Sequence, residues 1–385
     1  MKNLKENAAL AIAHEKEAME LFEKVDRETV WQTCYTNELE ARSIEDTPLF
    51  MGQIREDMRM DAEVSDESIE ENMQSLNLGL KVPFANGYVG YPLGDTAFGT
   101  LIQRAGYSNS PALVSLQDKT QQKKMASSLK AEVLNYGLNC YTGTCLVMIR
   151  DEKVRAVLSD NYSPLAFSNL VPILKSGLTA QFREVFFAGA TVDHVMSSAS
   201  FVIKDQEANK KFREIFASVS TETIYTSCKL VSSDVGASGA NLYPCIVIGG
   251  REFMVGSCLS LTHKDGHSIA DFAENVQKVF SLFRDATEKL EQMENTPVAN
   301  PAGCLMRLAK QAGLAKKLSI EAGQELEGMY GDTATQVDVF WYLQDVFAKM
   351  EPDIPTESRK IMLQENIART CFGDMAAYDL PFSWE

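Results

Sequence analysis

The chain has 385 residues, with 53 acidic against 37 Lys and Arg side chains, a formal net charge of -16 and 45% apolar content. That length exceeds what one hydrophobic core usually organises, so one large domain with satellites, or two domains, is expected. No apolar run approaches the roughly 18 residues of a membrane span, and the opening Met1-Lys2-Asn3-Leu4-Lys5-Glu6 leads into a polar helix rather than a signal peptide, so the expected setting is cytoplasmic with no membrane partner.

The acid excess repels nucleic acid on average but leaves room for a local basic face. Cysteines at 34, 140, 145, 228, 245, 258, 304 and 371 are thinly spread and mostly lie in apolar segments, which suggests buried reduced thiols rather than a disulfide framework.

Residues 3 to 24 read as an amphipathic helix with Leu10, Met19, Leu21 and Phe22 on its apolar face. From Glu56 to Glu71, eight carboxylates accompany only Arg59, the pattern of a solvated or partner-facing acidic segment. A turn-rich passage from Pro83 to Gly94 opens the folded core. Asp95 then caps a helix that buries Phe98, Leu101, Ile102 and Ala105 and stops at Gly106. A second helix, about Gln117 to Tyr136 with Gly137 as its cap, carries Lys119, Lys123, Lys124 and Lys130, the best basic cluster in the chain.

The period then changes to two. Cys145 to Arg150 and Val154 to Leu158, joined by Asp151-Glu152-Lys153, form a hairpin signal. A helix from about Phe167 to Ser176, stopped by Gly177, precedes short strands at Glu184 to Phe187, Thr191 to Met196 and Ser200 to Ile203. After a polar helix at Glu207 to Ala217 come strands at Ile224 to Val231, Leu242 to Ile248 and Glu252 to Leu261, with Gly249-Gly250 as a tight turn. Ser268 caps a long helix whose apolar residues, Ile269 to Met293, recur at three and four. Asn295 to Gly303 reads as a linker, and beyond it only helices and a tail ending in Phe382 and Trp384 are expected. The first of these helices carries Arg307, Lys310, Lys316 and Lys317. The class is α+β: an antiparallel sheet of hairpins covered by helices. The expected divisions are an N-terminal helix and acidic segment (1–80), an α+β core (81–294) and a helical C-terminal subdomain with its tail (295–385).

Several of these pieces resemble a family. Arg150 to Tyr162, with Ser159-Asp160-Asn161-Tyr162 at its end, is similar to the strand, turn, strand and S-D-x-Y element of the phage/plasmid-like proteins catalogued as a domain of unknown function. Ser233-Asp234-Val235-Gly236 resembles its S-[ED]-V-G element, Asp95, Ala97, Phe98 and Leu101 its G-D-x-A-F-x-x-L segment, and Thr335 to Phe340 its C-terminal helix, while His263 falls where members carry a histidine after a hairpin. Cys258-Leu259-Ser260-Leu261 stands where many members have C-T-N-G. The resemblance implies a phage, prophage or plasmid origin and no particular reaction.

The stretch from Ser232 to His267 concentrates the reactive side chains. Cys245, Cys258, His263 and His267 are candidate zinc ligands, although their spacing matches no standard finger. Cys258 with His263 and Asp234 is a candidate nucleophilic site, without a G-x-S-x-G elbow. Phosphate loops are absent from the sequence, and no cofactor is expected. Ser233 and Asp234 read either as a turn that needs Gly236 or as polar contacts to a ligand. The leading functional expectation is a non-catalytic, homo-oligomeric accessory protein that binds DNA or RNA, through single strands, with the lysines of 119–130 and 307–317 on phosphates. The alternatives are an acidic effector occupying a host protein, with residues 56–71 as the contact, and a Cys/His-dependent enzyme or zinc protein.

Overall fold

Two apolar stripes near the N-terminus decide where the chain begins to pack. The computed structural model describes residues 9–43, 78–107, 123–204, 206–218, 222–264, 266–354, 356–382 and 384. Strand β1 (Leu10–Ile12) leads into helix α1 (Glu15–Glu28), which buries Ala18, Phe22 and Val25. The helix therefore starts later than the expected 3–24, and the acidic segment 56–71 lies outside the described residues.

A small lobe follows. Strands β2 (Val30–Tyr35), β3 (Glu40–Ser43), β4 (Leu78–Phe84) and β5 (Gly87–Pro92) precede helices α2 (Asp95–Arg104) and α3 (Lys123–Cys140) and the hairpin β6 (Thr144–Arg150) and β7 (Lys153–Ser159). They form two antiparallel three-stranded sheets, β2-β6-β7 and β3-β4-β5, around a core that includes Leu80, Leu101, Leu134, Leu138 and Val147. The hairpin stands where its alternation put it; Asp151 and Glu152 take φ of 53° and 55°, the left-handed pair that a tight two-residue turn demands.

The large lobe is a seven-stranded antiparallel sheet with helices on both faces. After α4 (Phe167–Gln181) come β8 (Val185–Val192), β9 (Ser197–Ile203), α5 (Gln206–Ile215), β10 (Ile224–Ser232), β11 (Ala240–Ile248), β12 (Arg251–Met254) and β13 (Leu259–Leu261). Their order is β1-β8-β9-β10-β11-β12, with β13 also on β11. Because β1 is an edge strand of this sheet and Phe22 meets Phe167 edge-on at 4.7 Å, residue 80 marks no break between an N-terminal region and the core.

Two glycines read as helix stops are used otherwise. Helix α4 runs through Gly177, where a Cβ would lie 2.2 Å from Val276 Cγ1, and α3 runs through Gly137, where it would lie 2.2 Å from the Ala105 carbonyl. Both permit a close crossing rather than a cap. The expected long helix after Ser268 is broken at Lys278 into α6 (Ile269–Gln277), which packs on α4, and α7 (Val279–Glu294), which lies against β11. Ser268 and Asp271 form the capping box of α6.

The C-terminal region is helical, as expected: α8 (Pro301–Ala312), α9 (Lys316–Tyr330), α10 (Gln336–Met350) and α11 (Glu357–Phe372). Phe340, Leu343 and Phe347 of α10 join the apolar core of the large sheet, so this region docks on the sheet instead of standing apart. Helix α11 covers the opposite face, where Ile361 and Ala368 meet Met196, Val231, Tyr243, Cys245 and Met254. Trp384 packs against the chain's own core.

Candidate functional site

Four strand ends converge where the lobes meet. Met148, Ala156, Leu158 and Tyr162 from the small-lobe hairpin and its exit pack against Val235 at the end of β10, with Trp31 and Val195 alongside. Trp31, Tyr162 and His263 stack in a row, with centroids 5.7 Å and 5.2 Å apart. The Tyr162 hydroxyl donates to the Ser233 carbonyl at 3.1 Å. The S-D-x-Y and S-D-V-G elements therefore touch each other across the lobe junction.

His263 is buried and fully engaged. Its Nδ1 faces the Ser163 carbonyl at 3.2 Å, which can only accept, so Nδ1 carries the proton; Nε2, 3.0 Å from Ser232 Oγ, accepts from that hydroxyl. Burial lowers the imidazole pKa from 6.5, partly offset by the Ser163 hydrogen bond, and the ring is neutral at pH 7. A serine paired with a histidine has the form of a nucleophile and its base. Here, however, Ser232 is only 3% exposed and points into the junction. The pair pins the ring.

Ser233 is equally committed: its hydroxyl donates to the Val195 carbonyl at 2.7 Å and accepts from the Ala237 amide at 3.2 Å. The Asp234 carboxylate lies 3.7 Å from the buried Arg150 guanidinium, which also donates to the His194 carbonyl at 3.1 Å. Burial pushes the Asp234 pKa up from 3.8 to about 6, opposed by Arg150 and reinforced by Asp26. Burial likewise lowers the Arg150 pKa, with Asp234 opposing. Gly236 follows at φ 77° with its Cα facing Leu158. Of the two readings of Ser233 and Asp234, the junction turn is the one observed, because their polar atoms are used within the chain.

Beside the junction opens a cleft of about 320 Å³, inside the roughly 300–1,000 Å³ span of ligand pockets. Thr100, Gln103 and Arg104 of α2 form one wall; Ser159 and Tyr162 form the floor; Ser238, Thr262, His263 and Lys264 close the other side. Among its described lining residues two are cationic, four carry aliphatic hydroxyls and none is acidic.

The remaining candidates do not meet there. Lys119 lies outside the described residues, and Lys123 and Lys124 begin α3. Lys130 is 2% exposed, with its ammonium 5.1 Å from the Phe98 ring centroid, so it is not a surface phosphate contact. The chain's own tail occupies Arg307 and Lys310: the Arg307 guanidinium donates to the Pro381 carbonyl at 3.3 Å, and the two cations lie 5.2 Å and 5.7 Å from the Phe382 ring. Lys316 and Lys317 are exposed on the first turn of α9, Lys317 within 3.9 Å of Glu321. Helix α3 packs on the small-lobe core, and α8 and α9 on that of the large lobe.

The zinc candidates are also dispersed. Cys245 is buried under α11, Cys258 is exposed, His267 is half-buried beside Thr262, and both His263 nitrogens are taken. Among the described residues no three His, Cys, Asp or Glu side chains are grouped to hold a metal. The Cys258, His263 and Asp234 nucleophilic arrangement fails for the same reason, since His263 serves Ser232 and Ser163 while Asp234 faces Arg150. Arg104 and Lys264 carry no local signal and come from segments far apart in the chain; Ser159 and Tyr162, the ends of S-D-x-Y, Gly236 of S-D-V-G and His263 are the lining residues that the motifs single out.

Among the described residues no helix is long and apolar enough to cross a membrane. No family model matches the chain, and no curated protein or solved structure shows significant similarity to it.

Proposed function

We propose that this chain is a non-catalytic accessory protein of a phage, prophage or plasmid that binds single-stranded nucleic acid in the cleft between its lobes. The observation that carries the reading is the lining of that cleft: Arg104 and Lys264 with Thr100, Ser159, Ser238 and Thr262, and no acidic side chain among the described lining residues, in a chain of net charge -16. The Thr100 hydroxyl is taken up by the Ala97 carbonyl and the Val157 amide, so the two cations with the Ser159 and Ser238 hydroxyls are the groups that suit a phosphodiester, and an acid excess kept out of that space restricts binding to it. The non-catalytic part rests on His263, whose nitrogens are both committed. The mobile-element part rests on the S-D-x-Y and S-D-V-G resemblance.

Fluorescence anisotropy with a labelled dT oligonucleotide tests the reading. Binding is expected at about 50 mM salt and weakens as salt rises, with a log–log slope of about -0.7 per phosphate contacted. Arg104→Glu and Lys264→Glu should each flatten that slope by about 0.7. Absence of binding by the unaltered protein at about 50 mM salt, where ionic contacts are strongest, refutes the proposal.

A further inference from the structure

Beyond the cleft, α2 ends in a turn that presents aromatic rings. The Tyr107 amide donates to the Ile102 carbonyl at 2.9 Å and the Gly106 amide to the Gln103 carbonyl at 3.2 Å, the paired bonds of a Schellman cap, with Gly106 at φ 82°. This cap sets Tyr107 beside the end of α3, and the two segments exchange rings. A Cβ at Gly106 would lie 2.3 Å from Tyr141 Cε2, and one at Gly137 would lie 2.6 Å from Tyr107 Cε2. Each ring thus rests on the other segment's glycine; Tyr107 is half-buried against the small-lobe core, whereas Tyr141 is exposed.

Tyr136 stands next to them, 70% exposed, and Tyr141 is 60% exposed. Tyr136 directly precedes Gly137, the glycine that carries the Tyr107 ring, and its hydrogen bond with Cys140, then the charges of Cys140 and Tyr107, raise its phenol pKa. Tyr35, 59% exposed, joins the same end of the lobe, because the adjacent Thr36 hydroxyl donates to the Tyr141 carbonyl and the Thr36 amide to the Gly143 carbonyl at 2.9 Å.

We infer that the tyrosines 107, 136 and 141 form a stacking platform for the bases of a single strand whose phosphates are held at Arg104 and Lys264. This rests on the cleft being a nucleic-acid site. Continuity selects the occupant: Arg104 lines the cleft, and Gly106, two residues further on, carries the Tyr141 ring, so cleft and ring share the C-terminal turn of α2. The exposed rings of Tyr136 and Tyr141, backed by the half-buried Tyr107 and close in the chain to a cationic cleft, are the combination that sequence-tolerant single-strand binding uses, since every base has a face to stack. A protein partner would use the rings without needing the cations beside them.

The test compares two probes of equal length, about 12 nucleotides of dT and an abasic strand with the same phosphates, bound to the full chain. Tyr136→Ala and Tyr141→Ala should each weaken dT binding about tenfold, leave abasic binding unchanged and recover with Phe at the same position. Unchanged dT affinity in both Ala variants, while Arg104→Glu and Lys264→Glu still lose it, overturns the platform and leaves the cleft standing. Equal losses on both probes also overturn it, since the rings would then act only through the fold. If the unaltered protein binds neither probe, the platform and the cleft reading fall together.

Discussion

Replacing Lys229 with Met should unfold the protein at a markedly lower temperature. This lysine is the only cation within bonding range of two carboxylates, the buried Glu357 at 3.3 Å and the half-buried Glu252 at 3.6 Å, among the described residues. Ser200 donates to Glu252 at 2.8 Å, Ser227 donates to its other oxygen, Ser198 lies 3.4 Å from Glu357, and Gln364 donates to the Glu252 carbonyl at 2.9 Å. The cluster fastens the first turn of α11 to the sheet. At these distances and an effective dielectric of about 20, each ion pair is worth about 5 kcal/mol before desolvation. Removing one partner of such a buried set costs about 3–5 kcal/mol, because the remaining charges are left uncompensated.

With an unfolding entropy of about 0.8 kcal/mol/K for a chain this long, the loss lowers the midpoint by about 5 °C. Trp341, which packs against Phe216 and Phe253, reports the transition by fluorescence. Adding Glu252→Gln and Glu357→Gln to Lys229→Met should recover most of the loss, since the stranded charge is then gone. The pH sense is equally defined. Burial alone would lower the Lys229 pKa, but Glu252 and Glu357 together hold it above the ordinary 10.5, so its contribution is complete below about pH 10.5 and is lost as pH rises through the folded value. A midpoint that stays put or rises in Lys229→Met, or one that the Gln substitutions lower further, refutes this account.

Asp234 has a folded pKa of about 6 against 3.8, so the folded state takes up the extra proton and the stability from this group falls by about 3 kcal/mol as pH rises from about 4 through 6; chemical unfolding across that range should show the decline, and Asp234→Asn should flatten it. A slope unchanged in the Asn variant would assign the decline to other groups. Gly137→Ala forces a Cβ to 2.2 Å from the Ala105 carbonyl and should cost about 3 kcal/mol, whereas Gly99→Ala, open to 4 Å on helix α2, should stabilise by up to about 1 kcal/mol; thermal scans that rank the two equally would contradict the packing described. Of the eight cysteines, Cys140 and Cys258 are exposed and the other six buried, so a thiol-reactive dye should label two rapidly in the native protein and eight after denaturation. Rapid native labelling of more than two would show the interior to be open.

Periodicity and turn chemistry were enough to place most of the elements. The β6-β7 hairpin, strands β10 and β11 and the Gly249-Gly250 turn at φ 59° and 79° rest on patterns a few residues long, whereas the expected strands at Glu184 to Phe187 and Thr191 to Met196 are replaced by one, β8, that ends at Val192, and the expected Glu252 to Leu261 strand is broken between β12 and β13. Non-local contacts decided the rest. Gly137 and Gly177 look like helix stops in a linear reading, and become crossing points only when Ala105 and Val276 arrive from elsewhere. Lys130 sits among charges in the sequence, yet helix packing turns it under Phe98. The stretch from Ser232 to His267 concentrates reactive side chains, but whether Asp234 meets a cysteine, a metal or Arg150 depends on a hairpin more than 80 residues earlier. The S-D-x-Y element and the stretch from Ser232 to His267 supply most of the cleft's lining, but that they face Thr100, Gln103 and Arg104 across one space was not legible, because no local pattern distinguishes Arg104 or Lys264 from any other surface cation. Local residue order determined the elements; burial and long-range contact determined which side chains remained free to meet a ligand.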